Sequence, residues 1–387
     1  MTLAGNEPAI FYLDNAATSF PKPEEVYAAN NHVARTYGAN PGRGGHKLAH
    51  EAAKIVLQAR LAVADFFAIK DCGQIIFTAN ATEAINIALF GILEAGDRVV
   101  TTSMEHNSVS RPLHELQCRG VNVVKVPCDQ AGRVDQHALQ QECLAKPTKL
   151  VVMTHCSNVT GTTQPISAIG NWCRQHGILF MVDAAQSAGV LPIDVEAMAI
   201  DMLAAPGHKS LLGPQGTGFL YASKELKLKP LKFGGTGTMS SSLQQPDQLP
   251  DRLECGTLNT AGLAALTAGI EWIKQQGVDN IRTHEQFLVN RLREGLSLLP
   301  AAITLYGPES AEGGVLSFSV VGFDPSEIGF ILDQKYNIAV RVGLHCAPDA
   351  HNTIGSFPQG TIRVSPGIFN TAKQIDYLLQ AINEIIA

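Results

Sequence analysis

The chain has 387 residues, 45% of them apolar and 17% charged, with a formal net charge of −6. That length allows two or three domains with real cores. The acidic balance and the absence of any basic run exclude an electrostatic footprint for nucleic acid or for an anionic membrane surface. The N-terminus "MTLAGNEPAI" has no positive segment followed by an apolar one, and the apolar run "IALFGIL" is too short to cross a bilayer. The expected location is therefore the cytoplasm. Eight cysteines are present and none forms a Cys-x-x-Cys pair, so no metal site is expected and a reducing compartment leaves them as thiols.

In chain order, short β-branched runs alternate with helical stretches. "QIIFTA" reads as a strand and precedes a helix from about Thr82 to Leu93. "DRVVTTSM" leads to a helix near Val109–Cys118, and "VNVVKVPC" to one near Val134–Leu144. "KLVVMTHCS" leads to a helix near Ile166–His176, after which come the strands "ILFMVDAAQ", "DMLAAPG" and "GFLYAS". Near-continuous apolar runs are what strands covered on both faces require, so the alternation predicts an α/β domain with a mainly parallel sheet over residues 15–258. After Asn259 the rhythm changes. Two longer helices, roughly 261–276 and 281–298, lead to "GVLSFSVVG", a helix at 325–336, "IAVRVG", "TIRVSPG" and a closing helix. This predicts a smaller α+β domain over 259–387, with residues 1–14 packing near it.

Ligands of open parallel sheets sit beyond the carboxyl ends of the strands. Here those ends are "TANATEA", "TTSMEHNSV", "HCSNVTG", "MVDAAQSAG" and "APGHKS", all polar. Lys209, after a Pro-Gly-His turn, reads as a surface lysine or as a desolvated amine nucleophile able to form a Schiff base. Asp183 ends an apolar run and reads as a helix cap or as a carboxylate partner for a pyridinium nitrogen, with Gln186 in reach of a phenolic oxygen. Ala81 and Thr82 open a helix, where backbone N–H groups bind a phosphate or where Thr simply caps. His106 reads as a ring that stacks on a planar cofactor or as a loop histidine.

Together, and in this order, these pieces resemble the cysteine desulfurase/selenocysteine lyase family, within the class V aminotransferase group of fold-type I pyridoxal 5′-phosphate enzymes. The resemblance runs from "YLDNAATSFPKPEEVY" to "TIRVSPGIFNT". It includes "GANPGRGGHKL", "TANATEAINIA", "EHNSVSRPL", "SNVTGT", "VDAAQSAG", "GHKSLLGPQGTG", "RLECGTLNT" and "RVGLHCAP". It implies that Lys209 binds the cofactor covalently and that Asp183 pairs with its ring nitrogen. Gln186 would touch the phenolic oxygen, and His106 would stack and shuttle protons. Ala81, Thr82 and His208 would hold the phosphate, with Thr257 reaching the phosphate of a neighbouring subunit in a homodimer. Asn158 and Arg363 would hold the substrate α-carboxylate, a task suited to a planar guanidinium. One departure is Pro206, where the family often carries a hydroxyl before Gly-His-Lys. Cys156 stands where a small residue is expected and reads as a core hydrophobe.

In this family a Cys within Arg-x-Gly-x-His-Cys accepts sulfur as a persulfide, and Cys346 in "RVGLHCAP" holds that place. His345 either assists it or shapes its loop. Only sixteen residues separate Cys346 from Arg363, as in the short-loop subgroup that hands sulfur to an acceptor protein. The implied activity is removal of sulfur from L-cysteine to give L-alanine, in pathways such as iron–sulfur cluster assembly. The alternatives are a selenocysteine lyase acting on L-selenocysteine, a cysteine or cystine C–S lyase that leaves Cys346 unused, and a cofactor-binding scaffold for sulfur transfer.

Overall fold

The computed structural model describes residues 10–42, 44–300 and 302–387. Arg43 of "GANPGRGGHKL" and residues 1–9 of the N-terminal segment lie outside the described residues. The chain opens with β1 (Phe11–Tyr12), α1 (Glu24–Thr36) and α2 (Lys47–Phe66). Four strand–helix repeats follow: β2 (Ile75–Thr78) and α3 (Ala81–Ile92), β3 (Arg98–Thr102) and α4 (Asn107–Cys118), β4 (Asn122–Val126) and α5 (Gln136–Ala145), β5 (Leu150–Thr154) and α6 (Ile166–Gln175), then β6 (Leu179–Asp183) running on to β7 (Met202–Pro206) and β8 (Gly218–Ala222). These seven strands form one sheet in the order β2-β8-β7-β6-β5-β3-β4. All its pairings are parallel except those of β8, which runs antiparallel to β2 and β7.

The expected alternation is realised because the central strands are buried along nearly their whole length, as in "LVVMT" and "MLAAP". One face packs Val100, Val151, Phe180 and Phe219 against surrounding helices; the other packs Ile76, Val99, Val152 and Met181. Asparagine caps the key helix: Oδ1 of Asn80 accepts from the Glu83 N–H at 2.9 Å at the start of α3.

The second half holds α7 (Thr260–Gln276), α8 (Val278–Ser297), β9 (Ile303–Tyr306), β10 (Leu316–Val320), α9 (Pro325–Tyr336), β11 (Ile338–Ala339), β12 (Arg341–Gly343), α10 (Pro348–Thr353), β13 (Thr361–Val364) and α11 (Ala372–Ile386). Four of its strands make an antiparallel sheet, β12-β13-β10-β9, with a core of Leu288, Leu292, Phe318, Leu332 and Leu378. Helix α7 does not share this core, although the sequence places it beyond residue 258. Leu263, Leu266, Ile270 and Ile273 lie in the core of the larger sheet, because α7 packs on α1 and α2. The N-terminal arm ties into the smaller sheet's side, with β1 parallel to β11 and Leu13 in the smaller core. No described helix is long and apolar enough to cross a membrane.

Candidate active site

At the carboxyl ends of β3, β5, β6 and β7 lies a cavity of about 220 Å³. It is lined by Ala81, Thr82, His106, Asn158, Asp183, Gln186, His208 and Lys209, eight of the residues singled out from sequence. The sheet brings them together: Thr154 on β5 sits in register with Asp183 on β6, and Asp183 with Ala204 on β7, two residues before the Pro206–Lys209 turn.

The electrostatics follow from burial. Lys209 is pushed down to about 8, chiefly by loss of solvent, and Asp183 opposes that shift. The Asp183 carboxyl is raised by burial, while the Ala185 N–H donates to its Oδ1 at 2.9 Å and the Lys209 charge favours ionisation. Burial, with help from Lys209 and nearby arginines, pushes His106 down to about 4. That ring is therefore neutral at pH 7. Its Nδ1 accepts from the Ser108 N–H at 3.0 Å, which places the ring proton on Nε2.

The phosphate end is built from backbone. Gly218 on β8 lies so close to Asn80 that a Cβ there would collide with the Asn80 backbone. This approach seats the start of α3 against the sheet, and the N–H groups of Ala81 and Thr82 have no acceptor among the described residues. His208, pushed down to about 4 by burial, has a buried Nδ1 without a partner. Pro206 lines the cavity without a hydroxyl, but Ser108 lines it too, with Oγ 2.8 Å from Thr82 Oγ1. Ser108 thus brings to the cavity a hydroxyl that Pro206 lacks, and sequence reasoning did not single it out. An orphaned imidazole nitrogen, two free N–H groups, paired hydroxyls, a buried acid and a desolvated amine form a donor set that fits an anionic pyridine aldehyde.

The carboxylate-binding pair is arranged differently from expectation. Asn158 lines the cavity, but its Nδ2 donates to the His345 carbonyl at 2.8 Å. Arg363 is 0% exposed and lies behind the wall. Its Nη2 donates to Asp14 at 2.6 Å and Nη1 to the Asn158 carbonyl at 3.1 Å, while Nε has no partner. The guanidinium that faces the cavity is Arg341, the register partner of Arg363 across β12 and β13. Its only signal in the sequence is that it opens "RVGLHC".

Cys346 is exposed, and Arg341 Nη2 donates to its Sγ at 3.2 Å. His345 and Cys346 both have positive φ (48° and 59°), a costly arrangement for two successive residues with side chains. Three tethers hold it. Asn107 N–H donates to the Cys346 carbonyl at 2.7 Å, Asn158 holds the His345 carbonyl, and His345 Nε2 lies 2.9 Å from Thr361 Oγ1. Burial pushes His345 down to about 2, so this ring is neutral and shapes the turn. Cys156, pushed up to about 12 by burial, is an inert thiol as expected. Thr257 is exposed and away from this cavity, where its Oγ1 accepts from Asn40 Nδ2 at 3.0 Å.

The family profile described as Aminotransferase class-V matches residues 11–378. A probable cysteine desulfurase of Methanothermobacter thermautotrophicus is 38% identical over 97% of this chain and 94% of its own length. A cysteine desulfurase of Yersinia pestis is 34% identical over 98% of this chain and 94% of its own. Among solved structures, an apo cysteine desulfurase from Thermococcus onnurineus superposes with a TM-score of 0.91 at 34% identity, covering 97% of this chain and 94% of that one. The cysteine desulfurase CsdA of Escherichia coli gives 0.86 at 29% identity, with the same coverage.

Proposed function

The chain belongs to the class-V aminotransferase family and, within it, to the cysteine desulfurases; from that premise we propose that it binds pyridoxal 5′-phosphate in the Lys209 cavity and moves sulfur from L-cysteine to Cys346. One observation carries this reading. The Cys346 thiol accepts from Arg341, which lines that cavity with Lys209 and Asp183, and Cys346 lines an adjoining open hollow that shares Thr82, His106 and Ser108 with it. When bound, pyridoxal phosphate supplies an electron sink conjugated to the substrate α-carbon. Lys209 Nζ, neutral in a useful fraction near pH 7, takes the α-proton. His106, neutral with a proton on Nε2, would stack on the bound ring and offer that N–H as a hydrogen-bond donor. Asp183 would pair with the ring nitrogen of the bound cofactor. Arg341 binds the α-carboxylate, with Arg363 fixed behind it by Asp14. Cys346 Sγ attacks the substrate sulfur: the S–S bond forms, the C–S bond breaks, the proton given up by the Cys346 thiol balances the one the β-carbon gains, and Lys209 returns the α-proton. The products are L-alanine and a Cys346 persulfide. Stoichiometric alanine with sulfur on the peptide bearing Cys346, after incubation of the loaded protein with L-cysteine, is the expected result. Pyruvate without a persulfide would overturn it in favour of C–S lysis.

The sulfur then passes to an acceptor protein in the cytoplasm. The working unit is a homodimer of chains divided into a larger cofactor domain, with α7 packed on it, and a smaller C-terminal domain that includes β1. Support for the dimer comes from the segment around 231–246, where Phe233 is 74% exposed, Met239 62% and Leu243 fully exposed beside an open cavity of about 730 Å³. Such apolar exposure on one face marks an interface. In sedimentation, the active species should have twice the chain mass. The double substitution Met239→Asp with Leu243→Asp should yield monomers and reduce turnover roughly tenfold or more, since Thr257 then loses the neighbour it serves.

A further inference from the structure

A second, smaller cavity lies behind Lys209, between the two sheets. Its volume is about 30 Å³, enough for one or two water-sized occupants. The wall combines α8, the loop leading into β10, the loop after β13, the N-terminal arm and the turn that follows Lys209. Into it points Glu285, 8% exposed. Gly314 leaves the room for this carboxylate, since a Cβ there would meet Oε2.

Glu285 has no hydrogen-bond donor and no ion-pair partner among the described residues. Burial alone pushes it up to about 8, with no neighbouring cation opposing the shift. None of the cations nearby opposes the shift of Glu285. Lys22 Nζ donates to the Ser19 carbonyl, Ser19 Oγ (2.7 Å) and the His208 carbonyl (3.1 Å), which uses all three of its protons. Arg282, one turn earlier on α8, bears on His155 and Cys156. A buried carboxylate left this way costs several kcal/mol unless something neutralises it. The rest of the wall mixes apolar side chains, among them Val190, Leu212 and Ile281, with neutral polar groups: the hydroxyls of Ser19 and Ser210, the amides of Asn15 and Gln186, and the Pro366 carbonyl, 3.6 Å from the same Cβ position on Gly314.

We infer that this cavity is a binding site for a single monovalent cation held by Glu285 and surrounding neutral oxygens. The polar groups on offer are carboxylate, hydroxyl, amide and carbonyl, with no thiol or imidazole, a set that favours a hard cation. One carboxylate balances one positive charge, whereas a divalent ion would leave a net buried charge. The described residues contain no cluster of three acidic, histidine or cysteine ligands of the kind a divalent site needs. The ion would join α8 and the 366–369 loop to the backbone at Ser210, next to the cofactor lysine. This inference does not depend on the role of Cys346.

The test uses the full-length, cofactor-loaded protein at constant ionic strength, titrated with potassium chloride against choline chloride. Wild type should show a saturable rise in melting temperature of roughly 2–5 °C with potassium and none with choline. Glu285→Gln keeps the shape and removes the charge. It should melt at or above wild type without potassium and show no potassium response. In crystals soaked with rubidium chloride, an anomalous peak should lie beside Glu285. Equal melting in the two salts, an unchanged potassium response in Glu285→Gln, or a cavity without rubidium would overturn the site and leave a protonated acid with water.

Discussion

Cys346→Ser should lower turnover of L-cysteine by roughly 10³-fold while leaving the colour of the bound cofactor and the melting temperature close to wild type. The thiol is exposed, so replacing it removes little packing. Its carbonyl tether to Asn107 and the neighbouring His345 tethers run through backbone and ring atoms that the substitution keeps. The chemistry is another matter. A hydroxyl is a poor attacker of a thiol sulfur and cannot store sulfur as a persulfide. L-selenocysteine, with a better leaving group, should retain a larger share of its turnover. A structural thiol predicts the opposite pattern: a loss of about 1–3 kcal/mol of stability with turnover per folded molecule intact. Turnover per mole of bound cofactor, read with melting temperature, separates the two.

Lys209→Ala should cost about 10⁴-fold or more in turnover and abolish covalent retention of the cofactor. Borohydride treatment of the wild type should fix the cofactor on Lys209, and the variant should release it on denaturation. A label on another lysine would sink the assignment. The same residue sets a pH dependence. Burial lowers its amine from the ordinary lysine value to about 8, so the nucleophilic neutral form grows as pH rises through that value. Loading of apo protein with the aldehyde should therefore speed up by roughly 50-fold between pH 6 and pH 8 and flatten above it. An ordinary surface lysine would keep accelerating to beyond pH 10.

Most of the larger sheet was legible in the sequence, because strands covered on both faces must be continuous apolar runs, and their polar ends had to converge. "KLVVMTHCS" and "ILFMVDAAQ" announce β5 and β6 in this way. The elements that pair over long distances were not legible. Strands β1 and β11 are two residues each and meet across more than three hundred positions. The α7 helix was misplaced because a change of rhythm along the chain marks a change of element, not of packing partner; its apolar stripe happens to face α1 and α2. That eight of the singled-out residues line one cavity was legible from motif order. Which arginine lines it was not, since that depends on the register of β12 against β13 and on the Asp14–Arg363 ion pair.

The turn that carries Cys346 is riveted to the larger sheet's side on both flanks. Asn107 and Asn158 grip it from before, and beyond it Thr353 Oγ1 donates to Ser103 Oγ at 2.8 Å while Ala347, Ala350 and Ile354 pack on Met104 and Val159. As the nucleophile proposed above, Cys346 would meet bound cysteine at a very high effective molarity, because its translational and rotational entropy was lost on folding. The same fixation would give it no reach. A cysteine on a long flexible arm could search for its next partner at millimolar local concentration, whereas this one would wait for the proposed acceptor to come to it. The first half of the proposed reaction would thus be independent of what surrounds the protein, and the second would be second order. Flux through the whole cycle should scale with the abundance of whatever collects the sulfur.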